Sequence, residues 1–454
     1  MVRSARASRR TSRYDCGTLT PRSTRPASTR EERFILLAEQ ANAVALYEFT
    51  RAMEHVAVTG LGIVSPIGST VASFWRHLLD GRRAIGPIPD DAGLSGNRLW
   101  AAVGADFLEH SPLARAALRN TDRFTQYAMV ATSEALAQAR LEAPPESTAV
   151  VVGNTMGGLP FVAQSQSRFD DSPRNVTPKL MALVIPNMAS ARIAMHWELH
   201  GPQLAISTAC ASSLDAIGLA AGMIERGEVD AAIAGGSETL LSPMVYESLV
   251  RAGALSRTDD AALASRPFDV ERDGFVMGDG AGILVLERAE RARERGAFVL
   301  ARIRGYGSVA DAYHITSPDP SARYEVRAMR DALERSGDAG AACGVVYAHA
   351  TGTVVGDAAE ALAIDAVYAE RAAIVTSIKG HLGHSMASAG AMCAIAGVAG
   401  MHDGAIPATL GTRAVDPETR FDLVLSAPRA CAYSAFQVNA FGFGGQNASL
   451  VISR

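Results

Sequence analysis

From about residue 55 onward, short runs of consecutive apolar residues recur along the chain, and most lead into a stretch with helical spacing. The first run, His55-Val-Ala-Val-Thr-Gly-Leu-Gly, is apolar and ends in glycines, which predicts a buried strand and a turn. Val150-Val-Val-Gly, Leu204-Ala-Ile-Ser and Asp230-Ala-Ala-Ile-Ala-Gly-Gly predict further buried strands, and a helix is expected from about Cys210 to Arg226. Ile283-Leu-Val-Leu-Glu predicts a strand leading into the charged helix Arg288–Arg295. The second half repeats the style. Gly344-Val-Val-Tyr-Ala-His and Ala373-Ile-Val-Thr-Ser read as strands, Asp357 to Tyr368 and Ser385 to Met401 as helices. Gln437-Val-Asn-Ala, a glycine loop and Ala448-Ser-Leu-Val-Ile close the chain. Short buried strands alternating with helices define an α/β protein. No tandem repeat with a period of 20–50 residues is visible.

A length of 454 residues suits one large α/β body or two fused halves, and 48% apolar residues suffice for a large core. The formal net charge of −4 gives no overall pull toward nucleic acid or an anionic membrane. The most apolar stretch, Met386 to Met401, is short and rich in Ala and Gly, so a buried helix is expected and no membrane insertion. Cys16, Cys210, Cys343, Cys393 and Cys431 are scattered, with no C-x-x-C pair. That argues against a disulfide framework or a cysteine zinc site and for a reducing, cytoplasmic setting. Residues 1–52 break the pattern: the first thirty hold eight arginines, many Ser and Thr, and one acid, Asp15. The expectation is a disordered extension, or an upstream start with the true start at Met53; an Arg- and Ser-rich organelle transit peptide is the alternative.

One bias changes the weight of a single residue. Of the 43 basic residues only Lys179 and Lys379 are lysine. A lysine kept in so arginine-rich a chain suggests a site that needs a compact ammonium.

Four segments carry candidate chemistry. In Ser207-Thr-Ala-Cys-Ala-Ser-Ser, Cys210 falls between a strand and the first turn of an apolar helix. Unpaired N–H groups and the helix dipole there favour a thiolate, although a buried structural cysteine fits the same position. In His349-Ala-Thr-Gly-Thr-Val-Val-Gly-Asp-Ala-Ala-Glu360, His349 ends a strand and faces a small-residue loop, a place for acid–base work or for a histidine satisfied in a turn. Asp357 and Glu360 have the spacing of a capping box. Lys379-Gly-His-Leu-Gly-His384 places a rare lysine before two histidines, in a loop that opens an apolar helix. His381 and His384 form an H-x-x-H pair, but no third metal ligand lies nearby. Asn439-Ala-Phe-Gly-Phe-Gly-Gly-Gln brings a glycine loop whose backbone N–H groups can approach a ligand, or simply turns between strands. The run Gly278-Asp-Gly-Ala-Gly282 is not a dinucleotide fingerprint, because a strand follows it where a helix is required.

Taken together, these segments resemble a β-ketoacyl-[acyl-carrier-protein] synthase of the elongating type, a member of the thiolase-fold condensing enzymes and most similar to the KAS II type. The resemblance runs from about His55 to the C-terminus. It extends to Val58-Thr-Gly-Leu-Gly-Ile-Val-Ser-Pro-Ile-Gly, Ala234-Gly-Gly-Ser-Glu, Ser265-Arg-Pro-Phe-Asp and Arg272-Asp-Gly-Phe-Val-Met-Gly-Asp-Gly-Ala-Gly. It implies a thiolase-like fold, two duplicated α/β halves forming a layered α-β-α-β-α core. Residues 53–300 would hold the nucleophile and 301–454 the catalytic histidines.

By the same resemblance, Cys210 matches the nucleophile, His349 the first catalytic histidine and His384 the second, which the family places five positions after its lysine, here Lys379. Glu360 matches a structural glutamate. Phe443 matches the residue whose N–H completes an oxyanion hole with that of Cys210 and whose ring gates the acyl pocket. Thr351 and Thr353 match threonines that contact the pantetheine arm. Two departures stand out: Ala350 replaces a glycine, and its methyl is expected to narrow the approach; Gln446 replaces a common threonine. The implied reaction is a decarboxylative Claisen condensation of malonyl carrier protein with a Cys-bound acyl chain, in fatty-acid or polyketide and polyene synthesis. It needs no cofactor and no metal. The implied partners are an acyl carrier protein and a second copy of the chain, with a related subunit as an alternative; no nucleic acid is expected. A non-catalytic chain-length subunit would lack Cys210. A degradative thiolase would need a second catalytic cysteine, which neither Cys393 nor Cys431 supplies well, and an initiating synthase would be expected to carry Asn in place of the second histidine.

Overall fold

The computed structural model describes residues 56–454 apart from 89–97, 110, 112, 114 and 142–143. The expected extension over 1–52, the start at Met53 and Cys16 lie outside the described residues.

Eleven strands form one hydrogen-bonded sheet: β1 (Val56–Val64), β2 (Ala149–Gly153), β3 (Gln203–Ile206), β4 (Ala231–Glu238), β5 (Gly280–Arg288), β6 (Ala301–Ala310), β7 (Val345–Tyr347), β8 (Ile374–Thr376), β9 (Asp422–Leu423), β10 (Ala435–Gly442) and β11 (Gln446–Ser453). Their order is β9-β8-β7-β10-β11-β6-β1-β5-β4-β2-β3. This order contains the same motif twice. In β3-β2-β4-β5-β1 the third, second, fourth, fifth and first strands of the first half lie side by side, and β8-β7-β10-β11-β6 repeats that arrangement in the second half. The strand directions repeat as well: the first three members of each set run parallel, and the last two pairings are antiparallel. The halves join where Ala57 and Val58 pair with Arg302 and Ala301.

Five helices complete the layers: α1 (Arg123–Ala139), α2 (Ser212–Glu225), α3 (Arg323–Arg335), α4 (Val354–Val367) and α5 (Ala389–Asp403). Helix α1 covers β1 and β5, and α3 covers β6 and β11. Helices α2 and α5 lie between the two half-sheets and touch both. Their small residues permit this: an added Cβ at Gly218 would stand 2.4 Å from the Tyr306 ring, and one at Gly397 2.0 Å from the Phe436 ring. The layered α-β-α-β-α core is therefore present.

The outer packing carries the same duplication in atomic detail. Gly60 and Gly62 on β1 lie under α1, where a Cβ would stand 2.0 Å from Ala135 O and 1.8 Å from Ala131 O. Gly305 and Gly307 on β6 lie under α3, where the corresponding distances are 1.9 Å to Ala332 O and 2.1 Å to Ala328 O. A G-x-G strand beneath an A-x-x-x-A helix thus opens each half. This pair of patterns is the sequence signal of the duplication that a search for short tandem repeats overlooks.

Three expectations need correction. Helix α4 begins at Val354, with Thr353 as its N-cap, so Asp357 and Glu360 are not a capping box. Both are turned inward and serve main-chain groups of the preceding loop. Lys379–Leu382 is a short helical turn rather than a loop, and a 3₁₀ turn over Met386–Ser388 precedes α5. The closing segments are longer than expected and form one hairpin, β10–β11, around Phe443–Gly445.

Candidate active site

The parallel strands of both halves deliver the candidate residues at their C-terminal ends, the usual site of ligand binding in such sheets. Cys210 follows β3 and His384 follows β8, which are the equivalent strands of the two halves. His349 follows β7, and Phe443 follows β10.

Cys210 is reached through a tight elbow. Ala209 has φ 50°, a left-handed conformation that disfavours a Cβ. Local bonds hold it: Thr208 N donates to Ser212 Oγ at 3.0 Å, and Ser212 Oγ donates to Ala209 O at 2.6 Å. Asp215, one turn into α2, accepts from the Thr208 hydroxyl and, at 2.6 Å, from Tyr306 Oη of the other half.

The sulfur, 8% exposed as a residue, meets the second half directly. His384 Nε2 stands 3.0 Å from Cys210 Sγ. One ring nitrogen of His349, one of His384 and Sγ all lie within 4.8 Å of one another. The two imidazoles meet edge to face at 5.2 Å, and Phe275 packs edge-on against His384 at 5.4 Å. His384 is fixed through its backbone: its N–H donates to Val276 O at 2.7 Å, and Gly278 N donates to its carbonyl at 3.0 Å. The Nδ1 atoms of both histidines are buried without a partner among the described residues.

Glu360 holds the His349 strand end. Its carboxyl accepts from His349 N at 2.8 Å, Ala350 N at 2.6 Å and Asn439 Nδ2 at 3.1 Å. Lys379 is 2% exposed, and its ammonium donates to His349 O. The other lysine, Lys179, makes an exposed contact with Asn120 at 3.1 Å. The compositional argument for Lys379 therefore pointed at a buried charge. Asp357 accepts from Thr351 N and Phe268 N, at 3.0 and 2.8 Å, and from Gly352 N. It shapes the loop that presents Thr351 and Thr353, whose hydroxyls lie 3.1 Å apart. Asp357, Asn439, Asp215 and Glu238 were not expected as functional positions: Asp357 stood out only as a helix cap, Asn439 only as the start of a glycine loop and Glu238 only as the end of the Ala234–Glu238 run.

Electrostatics correct the expected thiolate. Burial pushes the Cys210 thiol up to about 12, against the opposing pull of Lys379 and of hydrogen bonds from the Phe443 and Cys210 N–H groups; nearby Glu238 adds to the rise. The helix terminus does not overcome desolvation, so the resting group is a thiol. Burial, reinforced by the Lys379 charge, holds His349 and His384 well below the ordinary histidine range, so both are neutral. Burial also raises Glu360 to about 7, despite its three N–H donors.

The remaining candidates resolve plainly. His381 is not paired with His384: its two ring nitrogens contact Arg82 O and Ala408 O at 2.9 and 2.8 Å. Ala350 is buried in a core cluster with Phe268 and Ala359. Gln446 opens β11 opposite Gly442. Phe443 is 41% exposed. Cysteine and two histidines would also suit zinc chemically, but the ammonium of Lys379 already brings a positive charge to the group.

Residues 53–292 match the N-terminal domain of the β-ketoacyl synthases and residues 300–413 their C-terminal domain. The 3-oxoacyl-[acyl-carrier-protein] synthase 2 of Synechocystis is 37% identical over 88% of this chain and 98% of its own length. The enzyme of the same name from Vibrio cholerae is also 37% identical, over 88% of this chain and 99% of its own length. Among solved structures, a β-ketoacyl synthase from Burkholderia phymatum aligns with TM-score 0.81 at 32% identity, over 88% of this chain and 99% of that one. The ishigamide ketosynthase/chain length factor aligns with TM-score 0.79 at 30% identity, over 88% and 98%. The fold, the duplicated halves and these similarities agree that the chain belongs to the β-ketoacyl synthase family.

Proposed function

We propose that this protein is a 3-oxoacyl-[acyl-carrier-protein] synthase that carries an acyl chain on Cys210 and extends it by decarboxylative condensation with malonyl carrier protein. The observation that carries the reading is the 3.0 Å contact between His384 Nε2 and Cys210 Sγ, with a His349 ring nitrogen beside them. In this reading the first half of the chain, to about residue 300, supplies the nucleophile and the second half the histidines.

The first step is acyl transfer. A thiol pushed up to about 12 next to an imidazole held well below its usual range makes a standing thiolate–imidazolium pair scarce. The proton therefore leaves Sγ for His384 Nε2 as the S–C bond forms. The carbonyl oxygen of the incoming thioester accepts from the Cys210 and Phe443 N–H groups, donors worth about 3–4 kcal/mol each. Collapse expels the pantetheine sulfur, which takes the proton from His384. The second step breaks the bond between the malonyl carboxylate and its methylene. Carbon dioxide leaves, and the enolate oxygen accepts N–H bonds from neutral His349 and His384. Donation from Nε2 needs the other tautomer of His384, and the unpartnered Nδ1 atoms hold neither ring in one form. The enolate carbon attacks the acyl carbonyl, the β-ketoacyl thioester departs, and Sγ regains a thiol by taking up one proton per cycle. Lys379 keeps the imidazoles neutral, Glu360 positions His349, and Thr351 and Thr353 receive the pantetheine arm.

Beyond the carrier protein, the reading includes a second copy of the chain. Among the described residues strand β3 is an edge of the sheet; the exposed Met195 lies on the helix Met188–His196 that packs against it, and the exposed Met156 follows the neighbouring strand β2. An unpaired edge bordered by apolar surface favours pairing across a two-fold axis. A related chain-length subunit is the alternative occupant, and mass measurement of the purified chain in solution distinguishes the two. The catalytic reading is tested by mass spectrometry of Cys210 after incubation with carrier proteins bearing different acyl chains. An acyl adduct that disappears when malonyl carrier protein is added supports it; condensation that survives Cys210→Ala sinks it.

A further inference from the structure

A chain of buried side-chain hydrogen bonds leads to Glu360 from the far end of its own helix. Tyr368 follows α4, Gln437 and Asn439 share one face of β10, and Ser449 lies on β11 directly opposite Asn439. With Glu360, none of these residues is more than 4% exposed. Tyr368 Oη donates to Gln437 Oε1 at 2.8 Å, and Gln437 Nε2 donates to Ser449 Oγ at 2.9 Å. Ser449 Oγ donates to Asn439 Oδ1 at 2.9 Å, and Asn439 Nδ2 donates to Glu360 Oε1 at 3.1 Å. That same carboxyl oxygen accepts from His349 N at 2.8 Å.

The chain has one direction. Gln437 Nε2 also faces Met329 O at 3.0 Å, and a carbonyl only accepts, so the amide oxygen of Gln437 has to face Tyr368. Ser449, already accepting from Gln437, has one proton to give; Asn439 Oδ1 takes it in preference to Val438 O at 3.4 Å. Asn439 is left presenting its NH₂ to Glu360. Each member thus orients the next, and bonds in series polarise one another. Buried polar side chains are costly where apolar ones would fill the space, so a satisfied network here specifies a geometry that an apolar layer would leave loose. The geometry it specifies is that of the His349 strand end. His384 is held separately, through Val276 O and Gly278 N.

We propose that Tyr368, Gln437 and Ser449 are positioning residues for the decarboxylation step, acting through Asn439 and Glu360 on His349. The claim rests on the proposed role of His349 in that step. It requires the two half-reactions to respond differently, because acyl transfer draws on His384 and decarboxylation on both histidines.

Ser449→Ala breaks the chain in the middle and leaves the main-chain pairing of β10 with β11 in place. Release of carbon dioxide from malonyl carrier protein should fall about tenfold, short of the hundredfold that a misplacement of about 1 Å can cost. Single-turnover acylation of Cys210 should keep the wild-type rate. Tyr368→Phe removes the first donor and keeps the ring beneath Arg371, whose Cζ lies 5.2 Å from the ring centre. It should lower decarboxylation in the same direction by a smaller factor, again without slowing acylation. Ser449→Cys restores a weak donor and should recover part of the loss. Equal loss of both steps in Ser449→Ala and Tyr368→Phe marks a merely structural network and overturns the proposal, as does unchanged decarboxylation in both. Should Ser449→Ala fail to fold, Tyr368→Phe decides by the same two rates. Wild-type protein that releases no carbon dioxide from malonyl carrier protein would defeat the proposed function and this claim together; wild-type release with no step-selective loss in the variants defeats this claim alone.

Discussion

His384 Nε2 lies 3.0 Å from Cys210 Sγ, and the two residues occupy equivalent loops of the two halves of the fold. The pairing joins a thiol raised by burial to an imidazole lowered by burial and by Lys379. With the thiol pushed up to about 12, the thiolate fraction rises tenfold per pH unit across the neutral range. Alkylation of Cys210 by iodoacetamide should therefore accelerate steadily from about pH 7 to about pH 9 without a plateau. A rate that levels off near neutrality would mean a stabilised thiolate, and the proton transfer to His384 would lose its purpose. Quantifying the modified Cys210 peptide by mass spectrometry decides between them.

The two histidines should separate by step. Only His384 touches the sulfur, whereas both flank the space where an enolate would form. His349→Ala should still acquire an acyl group on Cys210 but lose malonyl decarboxylation by about 10²–10⁴-fold, the usual scale for a positioned proton donor. His384→Ala should lose both. Single-turnover acylation and release of carbon dioxide from malonyl carrier protein, measured separately, check this. Normal decarboxylation by both variants would dispose of the enolate assignment.

Glu360 gives a prediction with a definite sign. Its carboxyl is raised from 4.5 to about 7, chiefly by burial. The folded state therefore holds a proton that the unfolded chain releases at lower pH. This contribution to stability is complete below about pH 4.5 and is lost as pH rises to about 7, a change on the order of 3 kcal/mol. Glu360→Gln removes the titration and keeps one carbonyl acceptor for the N–H groups of His349, Ala350 and Asn439. Its Tm should decline less steeply over that range than that of wild type, the remaining slope coming from other buried carboxyls raised in the same way, Glu238 and Glu134 among them. Parallel curves for the two proteins would locate the proton elsewhere.

Much of the site was legible in sequence because its residues sit in small-residue loops at strand ends, where local chemistry stands out. Cys210, His349, Lys379 and His384 could be singled out in this way, and the scarcity of lysine pointed to a buried ammonium. What residue spacing alone misread were carboxyls that contact main chain outside their own helix, although the family resemblance had already marked Glu360 as structural. Asp357 and Glu360 have capping-box spacing, yet α4 starts three residues before Asp357 and both carboxyls turn toward the loop of Thr351 and the end of β7. The state of Cys210 was misjudged for a related reason. A helix terminus is visible in sequence, but the depth of burial that outweighs it is made by residues from both halves.

The duplication offers the last test, because its evidence is a pair of contacts with no slack. An added methyl at Gly60 would stand 2.0 Å from Ala135 O, and one at Gly305 1.9 Å from Ala332 O. Both distances fall far inside van der Waals contact, and the obstructing atom is a helix carbonyl that cannot rotate aside. Either the strand or the helix must move. Gly60→Ala and Gly305→Ala should each destabilise the protein by about 3 kcal/mol or more, at the upper end of overpacking costs. The two should fail to a similar degree, because the same strand–helix contact is built in each half. Gly296→Ala is the control: no heavy atom lies within 4 Å of a Cβ there, so its cost should be confined to its φ of 71°. Thermal unfolding of the three variants measures this. If Gly60→Ala and Gly305→Ala unfold at the temperature of the control, α1 and α3 are not seated as closely on their strands as the duplicated G-x-G pattern requires.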